Sequence, residues 1–404
     1  MAAGLTSRMT SKEARASYFY AALYIAPGLA IPFLPLWLKS KGFSDSDIGL
    51  LNAIPIWTMV LINIFVGRLA DRASDWRQVI LLLAVIAGIA PLFLFGPTQI
   101  WLIMTIWVFC VLPVMMLTPI LDAATVRMAR RSGADFARIR VWGTTGYVIA
   151  NLLGGWYFGW AGIAMFLPIF VFLSVVRGVV AFQLPPFRAK APEDALIEDD
   201  KVEELPPHPL VAQEFKHMFR PWFLLAIVGS AFVVASHGPI YSFGSLLWDS
   251  QGIGSEFIGP LWAIGSAAEI LLFLAFATIA KRFSARHLIV FAAVMTSIRW
   301  FGMTFEIPTW GYFVLQSLHA FSFGVTYLGT LNFVANWTAE KFAAEAQSTV
   351  QVMAQGLLAT LVFGFGFLYA EFGAAAFGLS ASIAALGGVL VIGSLIMMNP
   401  RAEA

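Results

Sequence analysis

The 404-residue chain is 59% hydrophobic, only 12% charged, and carries a formal net charge of +2. Soluble domains run near ~45–50% apolar and ~25% charged, so this composition cannot coat a water-facing surface and excludes an ordinary globular domain. An integral membrane protein remains.

A helical span needs about 20 predominantly apolar residues. Taken in chain order, the sequence predicts twelve: Ser17–Leu38, Ile48–Val66, Val79–Phe95, Ile100–Val126, Val141–Gly159, Gly162–Phe182, Pro221–Trp248, Phe257–Ala280, Leu288–Phe305, Thr309–Trp337, Ala344–Tyr369 and Ala374–Met398. Short alternating polar and apolar runs, the mark of a membrane barrel, are absent, so the expected fold class is an all-α membrane protein with twelve transmembrane helices in two six-helix halves. The first apolar run contains Pro27, Pro32 and Pro35 and no small-residue cleavage site; it reads as a retained helix, not a signal peptide. The single Cys110 lies mid-span and rules out a disulfide or a cysteine-built metal site.

Charge position orients the chain. With the N-terminus inside, the inner face receives Arg8, Lys12, Arg15 and the clusters within Arg68–Arg77, Arg127–Arg140, Arg188–Arg220 and Lys281–Arg286, together with Lys341 and Arg401; the outer face receives Lys39 and Lys41. This positive-inside bias predicts two cytoplasmic termini and a multi-pass protein of the bacterial inner membrane. After span six, LPPFRAKAPEDALIEDDKVEELPPHPL (Leu184–Leu210) is Pro-rich and acidic and reads as a cytoplasmic linker. The expected organisation is residues 1–183 as one half, 184–217 as linker and 218–404 as the other half. Transporters of this layout hold substrate near the bilayer midplane.

The layout, and GRLADR (Gly67–Arg72) in the connection after span two, resemble the major facilitator superfamily. Gly67, Asp71 and Arg72 match that superfamily's loop signature, which implies a gating role; Ala73–Trp76 departs from it, and the matching AKRFSARH of the second half has no acid. RIRVWGTTGY (Arg138–Tyr147), the run His237–Ile270, Arg299-Trp300 and QSLHAFSFG (Gln316–Gly324) are similar to the phenylpropionate-permease branch, itself distantly like lactose permease and nucleoside–proton symporters. The resemblance implies a proton-driven importer of a small organic solute, an aromatic carboxylate among the candidates, with no cofactor beyond the proton gradient and a monomeric chain in the bilayer. A sugar or nucleoside symporter, an exporter of the same fold and a non-transporting sensor are the alternatives.

Ionisable groups at bilayer depth are costly, roughly 2.5–3.5 kcal/mol each on insertion scales, and persist where they are paired or functional. Asp122, His237, Glu269, Arg299 and His319 are such groups. Glu269, Arg299 and His319 come from successive spans and match the residue types with which lactose permease couples protons, except that Ser322 stands where that permease has an acid one turn after the histidine. Glu269 is therefore the leading proton carrier: apolar surroundings favour a neutral carboxyl group and a nearby arginine the charged one, so an acid–arginine contact that changes between states moves a proton. His319 either orients that pair, titrates itself or touches the ligand; a static network tying helices together is the competing reading. The same resemblance makes Asp122, Arg140 and Tyr147 substrate-binding.

His237 and Tyr241, Gln316 and His319, and Trp262 and Glu269 share helix faces by spacing. Gln347, Gln351 and Gln355 form a stripe at spacing four, and Tyr20, Tyr24, Asn52 and Trp57 supply similar groups in the first half. Lipid-facing positions should be apolar, so these faces turn inward. His237, Tyr241, Trp262, Gln316 and Gln351 are accordingly candidate substrate contacts in a pocket suited to a small aromatic ligand whose carboxylate pairs with Arg299. No Gly-rich phosphate loop followed by Lys-Ser/Thr, no Gly-x-Ser-x-Gly and no His-Glu-x-x-His occurs, which argues against an ATP-driven pump or an enzyme. Nothing in the sequence suggests nucleic acid, haem or a structural metal.

Overall fold

A computed structural model describes residues 12–132, 134–188, 220–338 and 340–398, and within them not the side chains of residues 63–72, 274, 277 and 340–346. Among the described residues the secondary structure is helical and groups into twelve spans. The first six are α1 (Lys12–Ser40), α2 (Asp45–Arg72), α3 (Trp76–Ile89, ending in a 3₁₀ turn to Phe95), α4 (Ile100–Ser132), α5 (Phe136–Ala161) and α6 (Phe166–Ala181). The second six are α7, in two pieces α7a (Pro221–Ala235) and α7b (Gly238–Ser250), α8 (Ser255–Ala280), α9 (Ala285–Gly302), α10, in pieces α10a (Thr309–Ser317) and α10b (Val325–Trp337), α11 (Glu340–Phe372) and α12 (Phe377–Met397). The expected all-α architecture is observed. Eight stretches pass a simple test of length and apolarity, the last, Gln347–Met397, taking in both α11 and α12. The helices that fail are α5, rich in glycine, threonine and aromatics, α9, which carries Arg286 and Arg299, and the interrupted α10. All three failures carry residues of the polar clusters described below.

Contacts between Cα atoms divide the chain into two units: Met1–Phe43 with Ile54–Lys201, and Val202–Ala404 with Ser44–Ala53. Most of the expected linker lies outside the described residues.

In the first unit α1 lies along α5 at very short range. A Cβ added at Gly146 would sit 2.6 Å from the Ala21 carbonyl oxygen, and one at Gly28 would sit 2.7 Å from that of Tyr147. Small residues let helix backbones approach in a medium where apolar side chains gain nothing by leaving lipid. In the second unit Gly229 and Gly387 play the same part for α7a and α12. Buried arginines add polar ties. Arg177 of α6 donates to the Ala87 carbonyl of α3 at 2.7 Å. Arg286, counted with the inner-face cations by sequence, is instead buried on α9. It donates to the Ser394 carbonyl at 2.9 Å and lies over the Trp222 ring, 5.5 Å from its centroid.

The connection after α2 corrects one expectation. Gly67–Arg72 is not loop: its backbone forms the last turns of α2, and the side chains of Gly67, Asp71 and Arg72 lie outside the described residues. The departing residues Ala73–Trp76 have a structural task. The Asp75 carboxylate caps α3 through the Arg77 amide at 2.7 Å and accepts from the amides of Phe187, at 3.0 Å, and Arg188, at 2.9 Å. The Arg77 guanidinium donates to the carbonyls of Leu184 and Phe182, and Arg131 donates to that of Phe187. Trp76 lies under both Arg127 and Arg188. The segment leaving α6 is thus strapped to the start of α3. Loss of an N-cap costs about 0.5–2 kcal/mol, and Asp75→Ala removes the strap as well. The variant should unfold at lower temperature and be cleaved faster by protease around residues 184–190; wild-type cleavage would show that Asp75 does not hold this segment.

Candidate functional site

Two polar clusters stand inside the helical bundle, one in each unit.

In the second unit the centre is Arg299, near the end of α9 and fully enclosed. Its Nη1 donates to His319 Nδ1 at 3.0 Å and to Ser322 Oγ at 3.2 Å; its Nη2 donates to Gln316 Oε1 at 2.6 Å. Gln316 is held in turn by its amide, which donates to the Leu261 carbonyl of α8 at 3.2 Å. The guanidinium also lies over Trp300, 4.4 Å from the ring centroid, and Trp300 Nε1 donates to Ser236 Oγ at 3.1 Å. Nε is buried with no hydrogen-bond partner among the described residues.

These partners fix the histidine tautomers. Arginine can only donate, so His319 Nδ1 accepts and its proton sits on Nε2. His237 Nδ1 lies 2.9 Å from the Val233 carbonyl, which only accepts, so this nitrogen donates; His237 Nε2 lies 3.2 Å from Ser322 Oγ, whose hydroxyl also reaches the His319 carbonyl at 3.3 Å. His319 is neutral in this arrangement, and Ser322 joins Arg299 to His237 in one chain of hydrogen bonds. His237 occupies the break between α7a and α7b, where Gly238 and Pro239 restart the helix. Its ring stands edge-on to Trp300, with centroids 5.0 Å apart.

The local backbone of span ten makes this convergence. Ala320–Gly324 is a π-helical turn inserted immediately after His319. Such insertions are rare and favour functional sites. The extra residue per turn lets Gln316, His319 and Ser322 all reach Arg299, and it stacks His319 on Phe323 and Phe323 on Tyr327, with interplanar angles of 9° and 3°. Gly324 leaves room for α8: a Cβ there would lie 3.4 Å from Glu269 Cγ.

Glu269 is half-buried on α8 and makes no hydrogen bond or ion pair within 4 Å among the described residues. It stands within electrostatic reach of Arg299 and Tyr241 without touching either. Tyr241 stacks on Trp262 at 5.9 Å, and Trp262 Nε1 donates to Ser245 Oγ at 2.9 Å, forming an aromatic wall between α7b and α8.

In the first unit Asp122 of α4 and Arg140, in the second turn of α5, form an ion pair at 3.4 Å. Tyr20 donates to Asp122 at 2.6 Å, and Arg140 Nη2 donates to the Tyr24 hydroxyl at 2.6 Å while its guanidinium lies over the Tyr24 ring at 4.5 Å. Arg140, counted with the inner-face loop cations by sequence, is therefore on the helix and engaged with α1 and α4. Tyr147 is half-buried two turns further along α5, where its carbonyl packs on Gly28.

The structure thus brings Arg299, His319, Gln316 and His237 together, sets Glu269, Tyr241 and Trp262 around them, and joins Asp122 to Arg140. It does not bring in Gln351. That side chain is exposed on α11 and lines a different pocket of about 210 Å³, with Ser230, Tyr327, Thr330 and Gln347. Sequence reasoning missed Ser322 as the hub, Trp300 as the face under Arg299, and the buried Arg177. Among the described residues no group of three or more His, Cys, Asp or Glu could hold a metal.

The fold, with polar clusters among helices long and apolar enough to span a membrane, defines a multi-pass helical membrane protein. It is similar to a crystal structure of the nucleoside transporter NupG, with a TM-score of 0.78 at 17% identity over 96% of this chain and 99% of that one. The model of the MFS_1 like family matches residues 14–380, and the chain belongs to that family. The chain is 27% identical to the Probable 3-phenylpropionic acid transporter of Escherichia coli (strain K12), covering 90% of this chain and 93% of that protein. It is 26% identical to the Maltose permease of Geobacillus stearothermophilus, covering 93% and 92%.

The network makes a direct demand on Arg299. Lysine keeps the charge but is a single ammonium point without the planar fork, and it leaves at least one buried acceptor unmade. Arg299→Lys should cost about 1–3 kcal/mol, read as a lower unfolding temperature in detergent. An unchanged temperature would mean that these three bonds do not hold spans nine and ten together.

Proposed function

We propose that the protein is a proton-coupled symporter that imports a small organic acid, with an aromatic carboxylate as the favoured class, across the bacterial inner membrane by alternating access. The observation that carries this reading is the state of Arg299. Its charge is enclosed, its bonds run to three neutral acceptors, and its nearest acid, Glu269, stays out of contact. A solute carboxylate can take the place of one neutral acceptor and gain a charge-assisted bond. Tyr241, Trp262 and the His319–Phe323 stack supply flat apolar faces beside it. The likeness to the 3-phenylpropionic acid transporter supports the same substrate class.

Glu269 is assigned as the proton carrier. His319 Nδ1 accepts a bond from Arg299, so a proton placed on that nitrogen breaks the bond. Glu269 has no such obligation. A carboxyl group surrounded by hydrocarbon keeps its proton and one against a guanidinium gives it up. An approach of Glu269 to Arg299 in one transport state and its withdrawal in the other would couple proton release to solute movement, with the solute shifting the balance by its differential affinity for the two states.

The Asp122–Arg140 pair with two tyrosines favours a second reading. Paired acid and arginine beside aromatic rings suit a polyhydroxylated ligand, and the maltose permease is among the relatives. The two readings separate in one experiment. The protein is reconstituted in liposomes, and internal pH is recorded while aromatic acids, nucleosides and sugars are added. Proton movement with aromatic acids is expected, and Glu269→Gln should abolish gradient-driven accumulation while leaving exchange. Proton movement with sugars alone would overturn the substrate class. Full accumulation in Glu269→Gln would remove that residue as carrier.

A charge exchange tests the first cluster. Asp122→Arg with Arg140→Asp restores the pair and should recover part of the transport lost in either single variant if the two residues lock the helices. No recovery would place one of them against the solute.

A further inference from the structure

A groove of about 1100 Å³ opens between α8, α9 and α10b at the end where the AKRFSARH turn joins α8 to α9. Its mouth carries Lys281, Arg282 and His287, all exposed. None of the residues lining it is acidic. The side chains of Lys281 and Arg282 make no hydrogen bond or ion pair among the described residues. The first half treats its equivalent cations differently: Arg77 is bonded to backbone carbonyls, and Arg127 and Arg188 lie over Trp76. Below the mouth the walls turn apolar, with Phe291 and Phe321 set edge to face at 6.2 Å.

We propose that this groove binds one anionic phospholipid of the cytoplasmic leaflet, its phosphate between Lys281, Arg282 and His287 and an acyl chain along Phe291 and Phe321. The argument is charge complementarity joined to depth. Two unneutralised cations and a histidine sit at the mouth, at the helix ends that the positive-inside bias is expected to turn toward the cytoplasm, and the apolar slot begins beneath them. Basic pockets between transmembrane helices on the cytoplasmic side are suited to anionic headgroups. A flat lipid-facing surface would offer the apolar contact without the slot, and a soluble phosphate would use the cations without the phenylalanines.

The intact protein, purified in detergent, is titrated with phosphatidylglycerol, phosphatidylcholine and glycerol 3-phosphate, and bound species are counted by native mass spectrometry. Phosphatidylglycerol should bind on the order of tenfold more tightly than phosphatidylcholine, and glycerol 3-phosphate should not bind. The double variant Lys281→Gln/Arg282→Gln, at exposed positions, should fall to the phosphatidylcholine level. Arg138→Gln, which removes an exposed cation from another turn, should bind as wild type does. Equal binding of the two lipids by wild type would overturn the proposal even if the double variant did not fold. So would undiminished phosphatidylglycerol binding in the double variant, or an equal loss in Arg138→Gln. Displacement of the lipid by glycerol 3-phosphate would assign the site to a free phosphate and also overturn it.

Discussion

A guanidinium enclosed by membrane-spanning helices has no water to satisfy it, and the second half of this protein is organised around that constraint at Arg299. Leaving a buried donor or acceptor unmade costs about 1–3 kcal/mol, and more when the group is charged. The chain meets the demand at both terminal nitrogens with three side chains of span ten and shapes the backbone to deliver them. The π turn after His319 sets the register of Gln316, His319 and Ser322, the break at His237 turns a second imidazole toward Ser322, and Gly324 lets α8 pass close by. Each is a local departure from regular helix. They coincide with the polar cluster because an irregular backbone in a membrane is tolerated where neighbouring protein groups satisfy it.

Much of this was legible in the sequence, for a physical reason. In a chain so apolar, every polar residue inside a span is a signal, and Glu269, Arg299, His319 and Gln316 stood out against long hydrophobic runs. The span count followed from the same contrast and the two-halves layout from the Pro-rich acidic stretch. What escaped notice depends on geometry finer than periodicity. Spacing alone places Gln316 and His319 on one face, but it cannot show that the helix gains a residue after His319 and so brings Ser322 into the chain of bonds. Ser322 was noticed only as a missing acid. Arg177 carries no signal in the sequence that points to its partner, since its bond to the Ala87 carbonyl joins residues 90 apart. Gln351 was misplaced by a sound rule applied too far: a polar stripe on a spanning helix does avoid lipid, but the pocket it faces is lined by Ser230 and Thr330, not by Arg299.

Helix ends were the other systematic difference. Apolar runs mark where a span enters hydrocarbon, whereas the helix continues as long as its backbone bonds are made. So α2 runs through Gly67–Arg72 and α4 reaches Ser132. Residues that read as loop in the sequence therefore act from rigid helix ends. Arg140 reaches Asp122 and Tyr24 because α5 begins at Phe136.

The two clusters differ in how their charge is balanced, and this difference favours a division of labour. In the first half the arginine is paired: Asp122 meets Arg140 at 3.4 Å, and both are further held by tyrosine hydroxyls. An ion pair of this kind is neutral as a unit, so it can open or close a contact without moving net charge. In the second half the arginine is surrounded by neutral acceptors and its acid stands apart, so the cluster changes net charge whenever Glu269 gains or loses a proton. A charge confined to a low-dielectric site is costly in proportion to how poorly it is compensated, and a bound anion or a deprotonated carboxylate is what lowers that cost. Under the proposed function, the unpaired cluster is thus the one whose free energy would depend on both solute and proton. That dependence on two ligands is the thermodynamic requirement for coupling them, and the symport proposed above would place it on Arg299 and Glu269 and not on the pair that is already neutral.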